Sequence, residues 1–343
     1  MIMKHTRNTI LPLASHKRPI GKRLQRSIDI FLNKNRVSSR PLLLGFSGGH
    51  DSRALWELLI AYKKKRSLSL IVAHIDHGWR SESQQEALQL KELVESHGCL
   101  FFLHILEKDQ SGKNLEEKGR QERYAFFEKL YHEHQCEALL LGQQADDQAE
   151  TVLKRIFEGA HFTSLSAMRS VSTWEEMTIW RPLLEVTREE VLTFLWEKQI
   201  VALDDRSNYD PSFLRARMRA NMLPYLEEMF GKKFRENLLE LSKSFQAIEN
   251  YFEEKTIHYA KSEKSSPEGV SLDFSTFVSL SLLEKEVAVK RFLLKEGLRL
   301  GTRHLRQIVE LLNDKVSNKK LLIKKRHLVI NGGQLFVKSF KSE

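Results

Sequence analysis

At 343 residues the chain exceeds one ordinary domain, and two or three units with a substantial core are expected. A composition of 41% hydrophobic and 29% charged residues is that of a soluble globular protein, and no apolar run approaches the length that spans a bilayer. Net charge is +10 and unevenly spread: 10 Lys and Arg against 1 acidic residue over 1–40, 23 against 30 over 41–230, and 22 against 14 over 231–343. An acidic body between basic ends predicts a polyanion held by the ends while chemistry proceeds in the middle.

Residues 1–40 read as a basic arm followed by an amphipathic helix from Ile20 to Val37, with Leu24, Ile28, Phe31 and Leu32 on its apolar stripe. Leu42, Leu43, Leu44 and Phe46 then form a strand that stops at Ser47-Gly48-Gly49-His50-Asp51-Ser52, after which Ala54, Leu55, Leu58, Leu59 and Tyr62 recur at helical spacing. Strand, glycine loop and helix N-terminus make an anion cradle, because glycines admit a close ligand and the first helical N–H groups lack partners. Asp51 is out of place beside phosphates unless a divalent cation stands between, so Mg²⁺ is expected there. No Lys follows the glycines, which excludes the G-x-x-x-x-G-K-S/T type of phosphate loop. SGGHDS instead resembles the SGGxDS pyrophosphate loop of the ATP pyrophosphatases, which cleave ATP to AMP and pyrophosphate while adenylating a substrate.

The second strand is read over Leu68–Ala73. It ends in His74-Ile75-Asp76-His77-Gly78-Trp79-Arg80, a polar cluster at the strand end where open α/β sheets bind ligands. A helix from Ser81 to Gly98, a strand Cys99–Leu106 and a helix capped by Asn114 and Glu117 follow, the last carrying Arg120 and Arg123. Strand Ala138–Leu141 leads to Gly142-Gln143-Gln144-Ala145-Asp146-Asp147-Gln148-Ala149-Glu150. Asp147 and Glu150, three apart at a helix start, share a face and suit a cation or an amine. The alternation predicts a doubly wound, mostly parallel α/β sheet.

Further along, Met177–Trp180 reads as a strand, Thr187 caps a helix to about Gln199, and Arg215, Arg217 and Arg219 stand at every second position. A long helix is expected from Glu236 to about Ser262, and Lys261–Gly269 as a linker. A helix capped by Ser281 and Glu284, another from Thr302 to Asn313, and short strands around Asn331-Gly332-Gly333 complete a small accessory domain. The expected divisions are therefore a basic N-terminal arm and helix (1–40), a catalytic domain (41–230), a helical connector with linker (231–269) and a basic accessory domain (270–343). Lys319, Lys320, Lys324, Lys325 and Arg326 are the expected contacts to a nucleic acid backbone.

SGGHDS, HIDHGWRSES, GRQERYAFF, ADDQAETVLKRIFEG, RPLLEVTREE and DDRSN followed by RARMR occur in one order between Leu42 and Leu226, and together they resemble the bacterial tRNA(Ile)-lysidine synthetases. The resemblance implies a cytoplasmic ligase. It would use ATP and Mg²⁺ to adenylate C2 of the wobble cytidine in CAU-anticodon tRNA(Ile), and the ε-amine of free L-lysine would then displace AMP. By matching position, Ser47, Gly48, Gly49, His50, Asp51 and Ser52 would bind ATP, with Asp51 on the metal. His74, Ile75 and Arg120 would lie along the nucleotide. Asp147 and Glu150 would receive the lysine's ammonium groups, and Arg215 would stabilise phosphate or the adenylated intermediate. Where the family usually has two histidines before ADDQ, this chain has Gln143-Gln144, which do not titrate near neutrality. The alternatives are a thiolating enzyme of the same superfamily, whose paired catalytic cysteines Cys99 and Cys136 do not provide, and an inactive tRNA- or nucleotide-binding relative.

Overall fold

The computed structural model describes residues 19–76, 83–106, 115–203, 214–231, 233–266, 269–323 and 326–338. The chain divides into two compact units, one formed by residues up to Glu150 with Met168–Arg235, the other by Thr151–Ala167 and residues from Glu236 onward.

The first unit is built on a six-stranded sheet of β1 (Leu42–Gly45), β2 (Leu70–Asp76), β3 (Leu100–Ile105), β4 (Ala138–Leu141), β5 (Val171–Trp174) and β6 (Met177–Trp180), in the order β3-β2-β1-β4-β6-β5. All neighbours are parallel except β5 and β6, which form an antiparallel pair at one edge. The doubly wound parallel sheet is thus observed. The central strands are apolar on both faces because helices cover both. On one face Leu42, Leu44, Leu70 and Val72 pack with α1 (Ile20–Asn35) and α2 (His50–Lys63), where Leu24, Ile28, Leu55 and Trp56 are fully buried or nearly so. On the other, Leu43, Ile71, Ala73 and Leu139 pack against Tyr124, Phe127 and Leu130 of α4 (Leu115–Glu133).

After α3 (Ser83–Ser96), the helix α5 (Ala145–Phe157) follows β4, and α6 (Arg188–Glu197) has Thr187 as its expected cap, in a capping box with Glu190. Residues 214–230 run as α7 (Leu214–Arg217), a π-helical turn (Met218–Met222) and α8 (Leu223–Phe230). Pro224 accounts for the wide turn. It has no N–H to give to the carbonyl four residues back, so the helix opens just before it instead of breaking.

The second unit is an antiparallel sheet, β7-β8-β11-β10-β9, of β7 (Glu263–Ser266), β8 (Gly269–Asp273), β9 (Lys319–Ile323), β10 (Arg326–Asn331) and β11 (Gln334–Lys338). It comes with α9 (Phe234–Thr256), α10 (Leu282–Lys295) and α11 (Thr302–Asn313), and its core gathers Phe277, Phe292, Ile308, Leu328, Ile330 and Leu335. The expected linker at 261–269 is corrected: Glu263–Ser266 and Gly269–Leu272 pair as an antiparallel edge of this sheet. The Gly that suggested a loose turn is there because a Cβ at Gly269 would stand 2.1 Å from the Val337 carbonyl oxygen. The polar, Lys-bearing sequence of β7 is that of an edge strand.

Candidate active site

The site lies at the carboxyl ends of β1, β2 and β4, where a parallel sheet opens a crevice. Gly48 adopts φ +80°, and Gly142, after β4, comes so close to the first turn of α2 that a Cβ there would stand 2.9 Å from Ser52 N. The loop is braced internally: Ser47 Oγ and Ser52 Oγ share a hydrogen bond of 3.0 Å, Ser52 Oγ donates to Gly49 O, and Leu203 N donates to Gly48 O. Gly49 caps α2 with no side-chain hydrogen bond, which leaves the helix N-terminus available to an anion.

A cavity of about 270 Å³ opens beside this loop. Ser47, Asp51 and Ser52 form one wall; Arg120 and Arg123 of α4, Gln143, Asp147 and Arg215 supply the other polar groups, and Phe46, Ala73, Ile75 and Phe127 the apolar ones. Arg120 is held with its guanidinium 4.9 Å from the ring centre of Tyr124 and 5.7 Å from that of Trp174. Burial pushes the Asp51 carboxyl up to about 7, with Asp147 adding to the effect and Arg188 and Arg219 opposing it. Asp51 Oδ1 is buried without a hydrogen-bond partner.

At the start of α5, Asp147 Oδ2 accepts from Gln144 N at 3.0 Å, while Arg219 bridges the carboxylates, Nη2 to Asp147 Oδ1 and Nε to Glu150 Oε1, each at 2.5 Å. Burial raises the Glu150 pKa, Arg219 opposes the rise, and Glu150 Oε2 is buried without a partner. Asp147 lines the cavity, but Glu150 does not.

Of the residues singled out by sequence, Ser47, Asp51, Ser52, Ile75, Arg120, Asp147 and Arg215 converge on this cavity. Gly48, Gly49 and His50 shape the loop without lining it, His50 opening α2. His74 does not line this cavity. Alternation along β2 puts Ala73 and Ile75 in the cavity and turns His74 to the other face, where its ring stacks on Phe101 and Nδ1–H donates to Phe46 O at 2.7 Å. Burial lowers its pKa, so it is a neutral brace for the strand that enters the loop.

The two glutamines part company. Gln143 lines the cavity, its amide oxygen accepting from Arg181 Nε. Gln144 is buried and its Oε1 accepts from Asp146 N, which caps α5. Arg123 and Arg219, named in the sequence without a site role, and Arg181 are the further charged groups here; for Arg219 the signal is present, since Arg215 and Arg219 are four apart and share a helical face. In the second unit Lys319 and Lys320 are exposed on the edge strand β9. Arg326 is half-buried and donates to Glu296 O, a packing role, and Lys324 and Lys325 lie outside the described residues.

A family model described as a PP-loop domain matches residues 20–226. The tRNA(Ile)-lysidine synthase of Protochlamydia amoebophila (strain UWE25) is 33% identical over 307 residues, 88% of this chain and 67% of that protein. The synthase of Chlamydia pneumoniae is 42% identical over 229 residues (66% and 70%), and that of Chlamydia muridarum 33% over 296 (84% and 91%). The chain belongs to the tRNA(Ile)-lysidine synthase family. Among solved structures, the U34-tRNA thiolase NcsA from Methanococcus maripaludis aligns with a TM-score of 0.55 at 17% identity, covering 66% of this chain and 79% of that one, which shows a shared fold. No helix among the described residues of this lysidine synthase family member is long and apolar enough to cross a membrane.

Proposed function

We propose that the chain joins the ε-amine of free L-lysine to C2 of the wobble cytidine of CAU-anticodon tRNA(Ile). ATP is cleaved to AMP and pyrophosphate, and an adenylated cytidine is the intermediate. The observation that carries this reading is that the phosphate loop and Asp147 line one cavity, with Glu150 joined to Asp147 behind it through Arg219. Polyphosphate would rest on Ser47, Ser52 and the α2 N-terminus, with Arg120 and Arg215 balancing the charge that develops as pyrophosphate and then AMP depart. The lysine's ammonium groups would be received by Asp147 and Glu150. Attack needs a neutral amine, and a carboxylate beside the cation both positions it and takes its proton.

The residues present fit Mg²⁺. Asp51 Oδ1 is a buried, unpartnered oxygen in the loop, and one carboxylate is the kind of protein ligand Mg²⁺ takes alongside phosphates and water. When bound it would neutralise charge on the transferred phosphates. Asp51 would hold it, since a carboxylate beside phosphates repels them unless a divalent cation stands between.

Thiolation is disfavoured by the cysteines. Cys99 and Cys136 are both buried and neither lines the cavity. Burial also pushes the Cys136 thiol up to about 11, far from a reactive thiolate. Lys319 and Lys320 would meet the tRNA backbone from the second unit. The double change Lys319→Glu and Lys320→Glu is expected to weaken tRNA binding by about tenfold at moderate salt and to flatten its salt dependence, while ATP affinity holds. The test of the main reading is incubation with ATP, Mg²⁺, labelled lysine and the tRNA. Label in tRNA matched by AMP is expected; AMP without label would point to a different acceptor.

A further inference from the structure

Arg219 bonds both carboxylates assigned to the lysine. Glu150 is 2% exposed and absent from the cavity wall, whereas the Arg219 side chain that spans it is 26% exposed. A guanidinium and an ammonium are rival claimants to the same oxygens, and Oε1 of Glu150 and Oδ1 of Asp147 are both already taken. An amine that pairs with those two oxygens has to displace Arg219. Two features give Arg219 somewhere to go. It sits in the π-helical turn Met218–Met222, where the helical ladder is already irregular and can rewind locally. It also feels a third anion, Asp51, on the side where the phosphate loop lies.

We propose that Arg219 is an internal stand-in for the substrate amine: it occupies the Asp147–Glu150 pair in the ligand-free chain, and polyphosphate bound at the neighbouring loop draws it away, opening the pair to a cationic amine. Nucleotide binding then precedes and promotes amine binding, and by linkage the amine tightens nucleotide by the same factor. The inference rests on the assignment of the lysine's amine to Asp147 and Glu150. Arg219 itself is a positioning residue, acting through those two carboxylates.

The test is lysine binding by calorimetry to the full chain, with and without a non-hydrolysable ATP analogue and Mg²⁺. In the unmodified protein the analogue is expected to tighten lysine by about tenfold or more. Arg219→Gln should bind lysine without nucleotide about as well as the unmodified protein does with it, and the coupling should vanish. Because Arg219→Gln leaves a buried carboxylate unpaired and could fold poorly, Arg219→Lys is the second variant. It keeps the charge but cannot bridge both groups, so coupling should shrink while lysine affinity in the absence of nucleotide improves. A cooperative thermal unfolding transition and an unchanged circular dichroism spectrum certify the fold of each variant. Equal lysine binding with and without the analogue, no lysine binding in its presence, or weaker lysine binding in both Arg219 variants would overturn the proposal. Glu150→Gln separates the two layers. If it binds lysine like the unmodified protein, the assignment of the amine has failed; if it loses lysine while the Arg219 variants show no gain, only the role of Arg219 has.

Discussion

In the second unit Glu286 is almost wholly buried and both its oxygens are claimed, Oε2 by His161 Nε2 at 3.1 Å and Oε1 by Arg306 Nε at 3.3 Å. His161 is kept neutral by burial and by the charge of Lys290. Its Nδ1 accepts from the Thr163 hydroxyl, which in turn accepts from Lys290 Nζ. At the crevice of the α/β unit, Asp51 and Glu150 each leave a buried oxygen with no partner. Both regions bury charge. Around Glu286 both carboxylate oxygens are met and the cluster holds its unit together; at the crevice, the unmet oxygens of Asp51 and Glu150 are left to take a ligand.

That contrast can be broken by removing charge from each side. Asp51→Asn should lower AMP formation by at least about 10²-fold while leaving the melting temperature level or higher, since a buried unmet carboxyl is lost. Glu286→Ala should do the reverse. By urea unfolding it should cost the second unit about 2 kcal/mol, because His161 and Arg306 lose their acceptor, with affinity for the ATP analogue unchanged. A melting temperature that falls with Asp51→Asn, or stays with Glu286→Ala, would remove the distinction.

A gentler test uses pH. Burial lowers Lys290 from 10.5 to about 8, so between those values the unfolded chain binds the proton that the folded chain has lost. Stability of the second unit should therefore rise with pH across that window and stay flat below it, and Lys290→Met should abolish the rise when denaturation midpoints are compared at both ends. The smallest effect expected is at Gln143. Gln143→His should alter the lysine-transfer rate by less than about threefold at pH 8 and add a loss of rate below about pH 6.5, where the imidazole charges. A pH profile identical to that of the unmodified protein would mean that residue 143 does not face the reacting groups.

Much of this was legible beforehand. The α/β alternation, the SGGHDS loop and the helix caps at Thr187 and Ser281 are local signals, and each forms as read. What escaped depends on the third dimension. The β5–β6 hairpin turns through Glu175 at φ +48°, which a Glu-Glu pair does not advertise. His74 is assigned to the nucleotide by resemblance, and what the sequence does not display is that β2 runs on to Asp76, so that alternation turns His74 from the cavity that Ala73 and Ile75 line. Arg219 was hidden by the open choice between helix and extended chain over 213–219, a choice decided by α7 and the turn before Pro224. The strand at Glu263–Ser266 was invisible because its partner lies across a polar edge, where sequence and linker look alike.

The central claim is that one crevice keeps phosphate chemistry and amine capture on separate groups, and the measurement that tests it most directly is Glu150→Gln assayed for both half-reactions. The variant is expected to form adenylated tRNA and pyrophosphate from ATP, yet to transfer little labelled lysine. Transfer at the unmodified rate, or loss of adenylation together with transfer, would contradict the account.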